Sequence, residues 1–258
     1  MSLFEAVGAY DRFMGRYSEQ LAPALAGVAG ITAGASVLDV GCGTGISTAA
    51  LAELAGSERV AGVDPSERFV AAACRRVPGA DIRVGTAEQL PFEDDSFDAT
   101  VSQLVFAFVD DPDGAVREMR RVTRRGGVLA ACMWDVSGEM TLLRVFWETA
   151  KAVARQEAER YDETTKRRFT REGELGDLWR RSGLDDVQDG ALVVSAAYSN
   201  FDDLWDPLEG GVGPAGSFVA SLDAETRRAL RQELRLRLDV DDGPFELSAR
   251  AWYAAGKA

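Results

Sequence analysis

The chain of 258 residues contains no histidine. Histidine is the side chain that titrates nearest neutrality and the commonest nitrogen ligand for metals. Without it, Ser-His-Asp and Cys-His catalysis, histidine-ligated zinc and every imidazole base are excluded. Cysteine is scarce as well. Cys42, Cys74 and Cys132 lie far apart and make no paired framework, which suits a reducing cytoplasm and thiols that fill core space. No cysteine or carboxylate cluster has metal-ligand spacing, so no metal is expected. Long apolar runs are missing too: none approaches the roughly 18 residues that span a bilayer. The opening "MSLFEAVGAYDRF" lacks the basic-then-apolar pattern of an export signal. A cytoplasmic protein without a membrane span is the expectation. Positive charge is also in deficit. With 29 Lys and Arg against 42 Asp and Glu, the net charge of −13 argues against a nucleic-acid partner. It suits a neutral or cationic small molecule.

What is present is a 46% hydrophobic content, enough for one large domain or a domain with a smaller appendage. Short apolar runs at 36–40, 59–64, 81–85, 97–102 and 127–134 read as strands. Ile46, Ala50, Leu51 and Leu54 follow the first at helical spacing; Phe69, Val70, Ala73 and Val77 follow the second. Val116, Met119 and Val122 mark a helix before the fifth, closed by "RRGG". Strand-helix-strand order implies right-handed crossovers and a parallel sheet with helices on both faces. Beyond Trp134 the rhythm changes. A long helix is expected over 139–160 and a short one around Leu175, Leu178 and Trp179, with a charged stretch at 155–172. "DVQDGALVVSAAYS" and "FELSARAWYAAGK" read as two late strands. Between them lie a Gly/Trp-rich segment expected to be a loop, "FDDLWDPLEGGVGPAGSF", and a helix near 223–238 whose arginines read as a solvated face. The sum is a seven-stranded, mostly parallel sheet with the last strand returning antiparallel.

The stretch "VLDVGCGTG" concentrates the chemistry. In an open parallel sheet the ligand sits at the carboxyl ends of the strands, beside the switch point. Gly41, Gly43 and Gly45 allow the backbone to approach a ligand. A dinucleotide fingerprint places its third glycine five positions after the first; here Gly45 comes at four and Ile46 stands at five. Two residues before Gly41 is Asp39. A carboxylate repels a pyrophosphate and attracts an ammonium or sulfonium. The loop therefore suits a nucleoside with a cationic tail and no phosphates, a description that S-adenosylmethionine fits. Asp64, 23 residues after Gly41 at the end of "GVDPS", stands where an acid accepts hydrogen bonds from ribose hydroxyls; a turn-forming Asp before Pro65 is the structural alternative. Cys42 reads as a buried filler of the loop.

In order along the chain, "VLDVGCGTG", "GVDPS", "VGTAEQLPFEDDSFDATVSQLVFAFVDDP" and "REMRRVTRRGGVLAACMWD" resemble the successive motifs of class I S-adenosylmethionine-dependent methyltransferases. The resemblance runs over about 35–135 and is closest to the small-molecule branch of ubiquinone/menaquinone C-methyltransferases. It implies a Rossmann-like α/β three-layer sandwich in one domain. Residues 1–34 would form a helical lid, 35–135 the cofactor-binding core, and 136–258 the substrate-shaping helices and two final strands. It further implies that Asp39 faces the methionine amino group and that Gly41, Cys42, Gly43, Thr44 and Gly45 line the amino-acid tail. Asp64 would hold the ribose, with Pro65 and Ser66 beside the adenine, and Thr86, Ala87 and Glu88 would frame the adenine edge. Ser102 and Gln103 would line the methionine and the transferring methyl. Thr86 departs from the family, which usually has an acid there. "RRGG" departs from a Lys/Arg-Pro-Gly-Gly turn.

Methyl transfer needs alignment and exclusion of water more than a strong base. No catalytic base is identified. Tyr10 and Arg16 are candidates to cover the cofactor, Arg16 by pairing with its carboxylate, and Tyr17 is a candidate for the acceptor pocket; a docking helix is the alternative for all three. Phe106, Phe108, Trp134 and Trp205 are further pocket candidates, with core packing as the alternative. An NAD-dependent oxidoreductase and a non-catalytic cofactor-binding protein remain as other readings of the chain.

Overall fold

The computed structural model describes residue 8 and residues 11–162, 164 and 167–258. Tyr10 therefore lies outside the described residues. A π-helical turn, Asp11–Gly15, leads into α1, Arg16–Val28. The alternating part follows: β1 Val37–Val40, α2 Ile46–Ala55, β2 Val60–Asp64, α3 Glu67–Arg76, β3 Asp81–Val84, β4 Phe97–Gln103, α4 Pro112–Val122 and β5 Thr123–Trp134. After it come α5 Thr141–Val153, α6 Arg155–Tyr161, α7 Glu174–Arg181, β6 Asp185–Tyr198, α8 Phe201–Glu209, α9 Gly213–Ser221, α10 Ala224–Leu238 and β7 Phe245–Lys257.

The strands form one seven-stranded sheet in the order β3-β2-β1-β4-β5-β7-β6. β1 pairs in parallel with both β2 and β4, so the chain reverses direction of travel across the sheet between β1 and β4. β7 runs antiparallel to β5, from Val128↔Lys257 to Trp134↔Ala251. The expected α/β sheet with a late antiparallel strand is the fold observed. Every residue of β1 and β2 is buried, which is why these strands read as continuous apolar runs rather than alternating ones.

Three boundaries differ from the sequence expectation. The segment 201–218 is not a loop but α8 and α9. Asn200 caps α8 by accepting from the Asp203 N–H, and Phe201, Leu204, Trp205 and Leu208 bury one helical face. Pro207 inside the helix and Gly210 at its end obscure that period in the sequence. The long helix over 139–160 is two helices, because Ala154 (φ −145°) interrupts it. "RRGG" closes no helix outside the sheet: β5 already begins at Thr123, opposite Phe97, and the register shifts before Val128 meets Ala99.

The chain divides into two compact units. One comprises Ser18–Trp134, Arg168–Leu192 and Ala251–Ala258. Its core joins Leu38, Val63, Phe97, Met119, Leu129 and Trp179, and the Trp179 Nε1–H donates to the Leu129 carbonyl at 3.1 Å. Burying each large side chain contributes roughly 1.5–3 kcal/mol. The other comprises the residues through Tyr17, Asp135–Arg167 and Val193–Arg250. There Phe146, Trp147 and Phe218 pack edge-on and tilted, with centroids 5.0 to 6.1 Å apart. Arg250 binds the buried Asp135 carboxylate at 2.7 Å.

Candidate functional site

The loop between β1 and α2 is held under by the Val63 carbonyl, which accepts from the N–H groups of Gly41 (2.8 Å) and Cys42 (3.0 Å). Its three glycines have different reasons to be glycine. A Cβ on Gly41 would stand 2.3 Å from Val105 Cγ2, and one on Gly45 would stand 2.9 Å from the Ala73 backbone. Both serve contacts within the protein. A Cβ on Gly43 (φ +54°) would meet nothing within 4 Å, so at this position the open space belongs to no part of the described chain. Cys42 packs on Gly62 and Thr44 is buried. Burial pushes the Cys42 thiol far above its ordinary range, and the charges of Asp39 and Asp64 push it further, so it is no nucleophile.

Asp39 is fully buried in the middle of β1. Its Oδ2 accepts from the Thr48 hydroxyl at 2.8 Å, whereas Oδ1 has no hydrogen-bond partner. Burial raises its pKa to about 6, against the Thr48 hydroxyl and Ser47, which favour the anion; the nearby charge of Asp64 adds to the rise. Asp64 ends β2 and is 7% exposed. Its Oδ2 accepts from the Gly43 N–H at 3.0 Å and its Oδ1 from the Ser66 N–H at 2.9 Å. Burial raises its pKa too, against those two backbone donors. Asp64 thus forms the turn before Pro65 and also ties the glycine loop to β2. Pro65 is exposed, and Ser66 caps α3 by accepting from the Phe69 N–H.

After β3, Thr86 is exposed and bridges to Gln89, while Ala87 and Glu88 are half-buried. Glu88 Oε1 accepts from the Asp110 N–H at 3.2 Å. At the end of β4 the Ser102 hydroxyl is buried and donates to the Val40 carbonyl at 2.9 Å, a bond that fastens β4 to β1. Gln103 donates through Nε2 to the Ser18 carbonyl at 3.2 Å, and its Oε1 is buried without a partner. Because Asp39 pairs with Val101, Asp39 and Gln103 lie on the same face of the sheet. Next comes Leu104, with φ +65°, a conformation costly for a leucine. It turns the chain so that Val105 packs on Gly41. Nothing in the sequence marks Leu104, and Thr48 reads as one more polar residue on α2.

Phe106 is 1% exposed and packs edge-on against Trp179 at 5.3 Å and against Phe169 at 6.0 Å. That is a core position. Phe108 is 66% exposed, and Trp134 is buried at the last position of β5. The remaining candidates belong to the second unit. Arg16 pairs with Asp203 at 2.9 Å, donates to the Ala197 carbonyl at 2.6 Å and lies 4.3 Å over the Tyr198 ring. Tyr17 is fully buried, with its hydroxyl 3.1 Å from that of Tyr198, and burial pushes its pKa up to about 12. Trp205 is 1% exposed on α8, stacked on Phe201, and its Nε1 is unpartnered. Sequence placed Trp205 in a loop where burial was unassured; on α8 it faces the interior.

Residues 38–131 match the family described as a methyltransferase domain. Over 119 residues the chain is 39% identical to a demethylmenaquinone methyltransferase of Mycolicibacterium paratuberculosis, covering 46% of this chain and 50% of that protein. Residues 38–131 are a methyltransferase domain. Its resemblance to the quinone-methyltransferase-like branch, expected from the motifs, holds in these sequences. The chain spans half or less of the length of the first curated relatives it matches, down to 31% for a transposon protein of Streptomyces fradiae. In fold, the methyltransferase domain and the segments after it superpose on an S-adenosylmethionine-dependent methyltransferase of Thermotoga maritima. The TM-score there is 0.57 at 23% identity, over 99% of each chain. A phosphoethanolamine N-methyltransferase of Haemonchus contortus, solved with S-adenosylmethionine, gives a TM-score of 0.59 at 18% identity over 97% of this chain and 56% of that one. No helix among the described residues is long and apolar enough to cross a membrane.

Proposed function

We propose that this protein transfers a methyl group from S-adenosylmethionine to a small-molecule acceptor by in-line displacement. The observation that carries the reading is Asp39: a fully buried carboxylate, one oxygen of which lacks any donor, at the ligand end of a parallel sheet. Leaving a buried charge unmatched costs several kcal/mol, about 3 or more for a broken buried pair. An ammonium group would supply the missing charge and donor. The unpartnered Oε1 of Gln103, on the same face of the sheet, is a second acceptor of the same kind. The residues present therefore fit an aminoacyl tail.

When bound, S-adenosylmethionine supplies an electrophilic methyl on a positively charged sulfur. Asp39 and Gln103 are assigned to the ammonium group. Gly43 leaves room for close backbone approach, and Asp64, with lone pairs beyond those used by Gly43 and Ser66, is assigned to the ribose hydroxyls. Pro65, Ser66, Thr86, Ala87 and Glu88 are assigned to the adenine, and Ser102 to the methionine side. These groups hold and orient; none is asked to take a proton. That is consistent with a chain without histidine, since an acceptor that is already nucleophilic needs only alignment and a dry site. The demethylmenaquinone methyltransferases among the relatives favour a small-molecule acceptor, and the acidic chain suits no polyanion.

Calorimetric titration tests the donor half: S-adenosylhomocysteine should bind with micromolar affinity and NADH should not. An acceptor screen then uses methyl-labelled S-adenosylmethionine over a metabolite extract, with Asp64→Ala as control. Label should enter a low-mass product with the wild type and fall by about tenfold or more in the variant, the scale of a lost charged hydrogen-bond partner. Binding of NADH in place of S-adenosylhomocysteine would sink the reading.

A further inference from the structure

We propose that Thr48 is a positioning residue for the cofactor ammonium: its buried hydroxyl clamps Asp39 Oδ2 and leaves Oδ1 as the free acceptor. The inference rests on the donor assignment above and concerns a residue outside the quoted motifs, to which the resemblance gives no role. Thr48 and Asp39 are both fully buried, and the Thr48 hydroxyl donates to Oδ2 at 2.8 Å while Oδ1 has no partner. A hydroxyl of this kind acts twice. It fixes the rotation of the carboxylate, so that one oxygen is consumed by α2 and the other is kept for a ligand. It also favours the charged form, and so helps to set the pH at which the site is ready.

The surroundings make the second action necessary. From α2, Asp39 is faced by the uncharged Ser47 and Thr48; from β2 by the like charge of Asp64; from the loop by the neutral Cys42 thiol. No arginine or lysine among the described residues offsets it. Burial thus drives the carboxyl up to about 6, close enough to neutrality for one hydrogen bond to matter. Thr48, ahead of Ser47, is the group that favours the anion here, with no cation of the protein's own to do so. A lysine at this place would do so more strongly and would also occupy the acceptor.

The test measures the S-adenosylhomocysteine Kd between pH 5.5 and 8 for the wild type, Thr48→Val, Thr48→Ala and Thr48→Ser, together with a carbon-13 titration of the Asp39 carboxyl in the ligand-free protein. For the wild type, affinity should be flat above about pH 7 and fall toward tenfold per unit below about 6. In Thr48→Val and Thr48→Ala the Asp39 titration should move upward by about one unit, giving roughly tenfold weaker binding at pH 6 and values within about threefold at pH 8. Thr48→Ser should restore both curves. A uniform weakening at every pH, with the carboxyl titration unmoved, would show that Thr48 only packs, and would overturn the inference. The two apolar variants guard against one failing to fold. A wild type that binds no S-adenosylhomocysteine at any pH removes the donor assignment itself, whereas an unmoved profile in a protein that binds removes only the role of Thr48.

Discussion

Around β1 and β4 the protein buries acceptors without donors; in the unit built from Asp135–Arg167 and Val193–Arg250 it matches its buried charges. Asp135 receives Arg250 at 2.7 Å and the Glu139 N–H at 2.9 Å. Asp162, 2% exposed, receives Lys151 at 2.5 Å and Thr164 through both its hydroxyl and its N–H. The buried nitrogens left over in that unit are donors, among them the indole N–H groups of Trp147 and Trp205 and the Nε of Arg227, whose guanidinium still donates to the Leu222 carbonyl at 2.9 Å. By contrast, Asp39 has only uncharged partners on α2, one oxygen without a donor, and an acid nearby. A satisfied charge holds a structure together. An unsatisfied one costs stability until something from outside the chain arrives, and it marks where binding free energy is held in reserve.

The comparison can be broken from either side. The largest effect is expected where packing is complete: Trp147→Ala should cost about 4 kcal/mol of unfolding free energy by denaturant titration, since truncation leaves a cavity among Phe146 and Phe218. A loss under about 1 kcal/mol would mean that this unit is as loosely satisfied as the loop. Next comes the opposite sign. The folded pKa of Asp39, about 6, lies above its ordinary 3.8, so the native state holds the extra proton and stability declines as pH rises between those values. About two units correspond to roughly 3 kcal/mol. Asp39→Asn should therefore raise the stability of the ligand-free protein by about 2 to 3 kcal/mol at pH 8 and hardly at all at pH 3.5, while it weakens S-adenosylhomocysteine binding. Equal stability at both pH values would show the charge to be balanced within the chain. The smallest effect sharpens the loop itself. Gly41→Ala should cost about 2 kcal/mol through its clash with Val105, whereas Gly43→Ala should cost about 1 kcal/mol of backbone strain and show its main loss in S-adenosylhomocysteine affinity. Equal affinity losses in the two variants would mean that the open space beside Gly43 is not where the ligand lies.

The two regions also differ in how far they could be read from residues. The succession of strands and helices in the parallel half, the glycine loop and both acids were legible because each depends on neighbours in sequence: a buried strand is a short apolar run, and a tight turn at its end needs glycine. Asp39 stood out because a carboxylate among those residues has no local explanation. Beyond Trp134 the signals were weaker. Phe201, Leu204, Trp205 and Leu208 carry a helical period, but Pro207 and the glycines beside it masked α8, whose start depends on the Asn200 cap. Arg16 illustrates the limit most clearly. Its charge suggested a partner on a ligand, yet Asp203, 187 positions later, takes it in the folded chain.

By itself, the sequence determined the parallel α/β succession, the loop with its misplaced-looking acid and the lack of any histidine chemistry. Each follows from residue type and local spacing, which no later contact can revise. Only the tertiary structure decided that Gly41 and Gly45 serve packing while Gly43 faces open space, and that Thr48 takes one oxygen of Asp39 and leaves the other. It alone showed that Ser102 fastens two strands, that Phe106 belongs to the core and that Arg16 is already matched. The reason is that burial and pairing are properties of what comes near in space. A side chain's type states what it can bond; the fold selects which bond is made and which is left open.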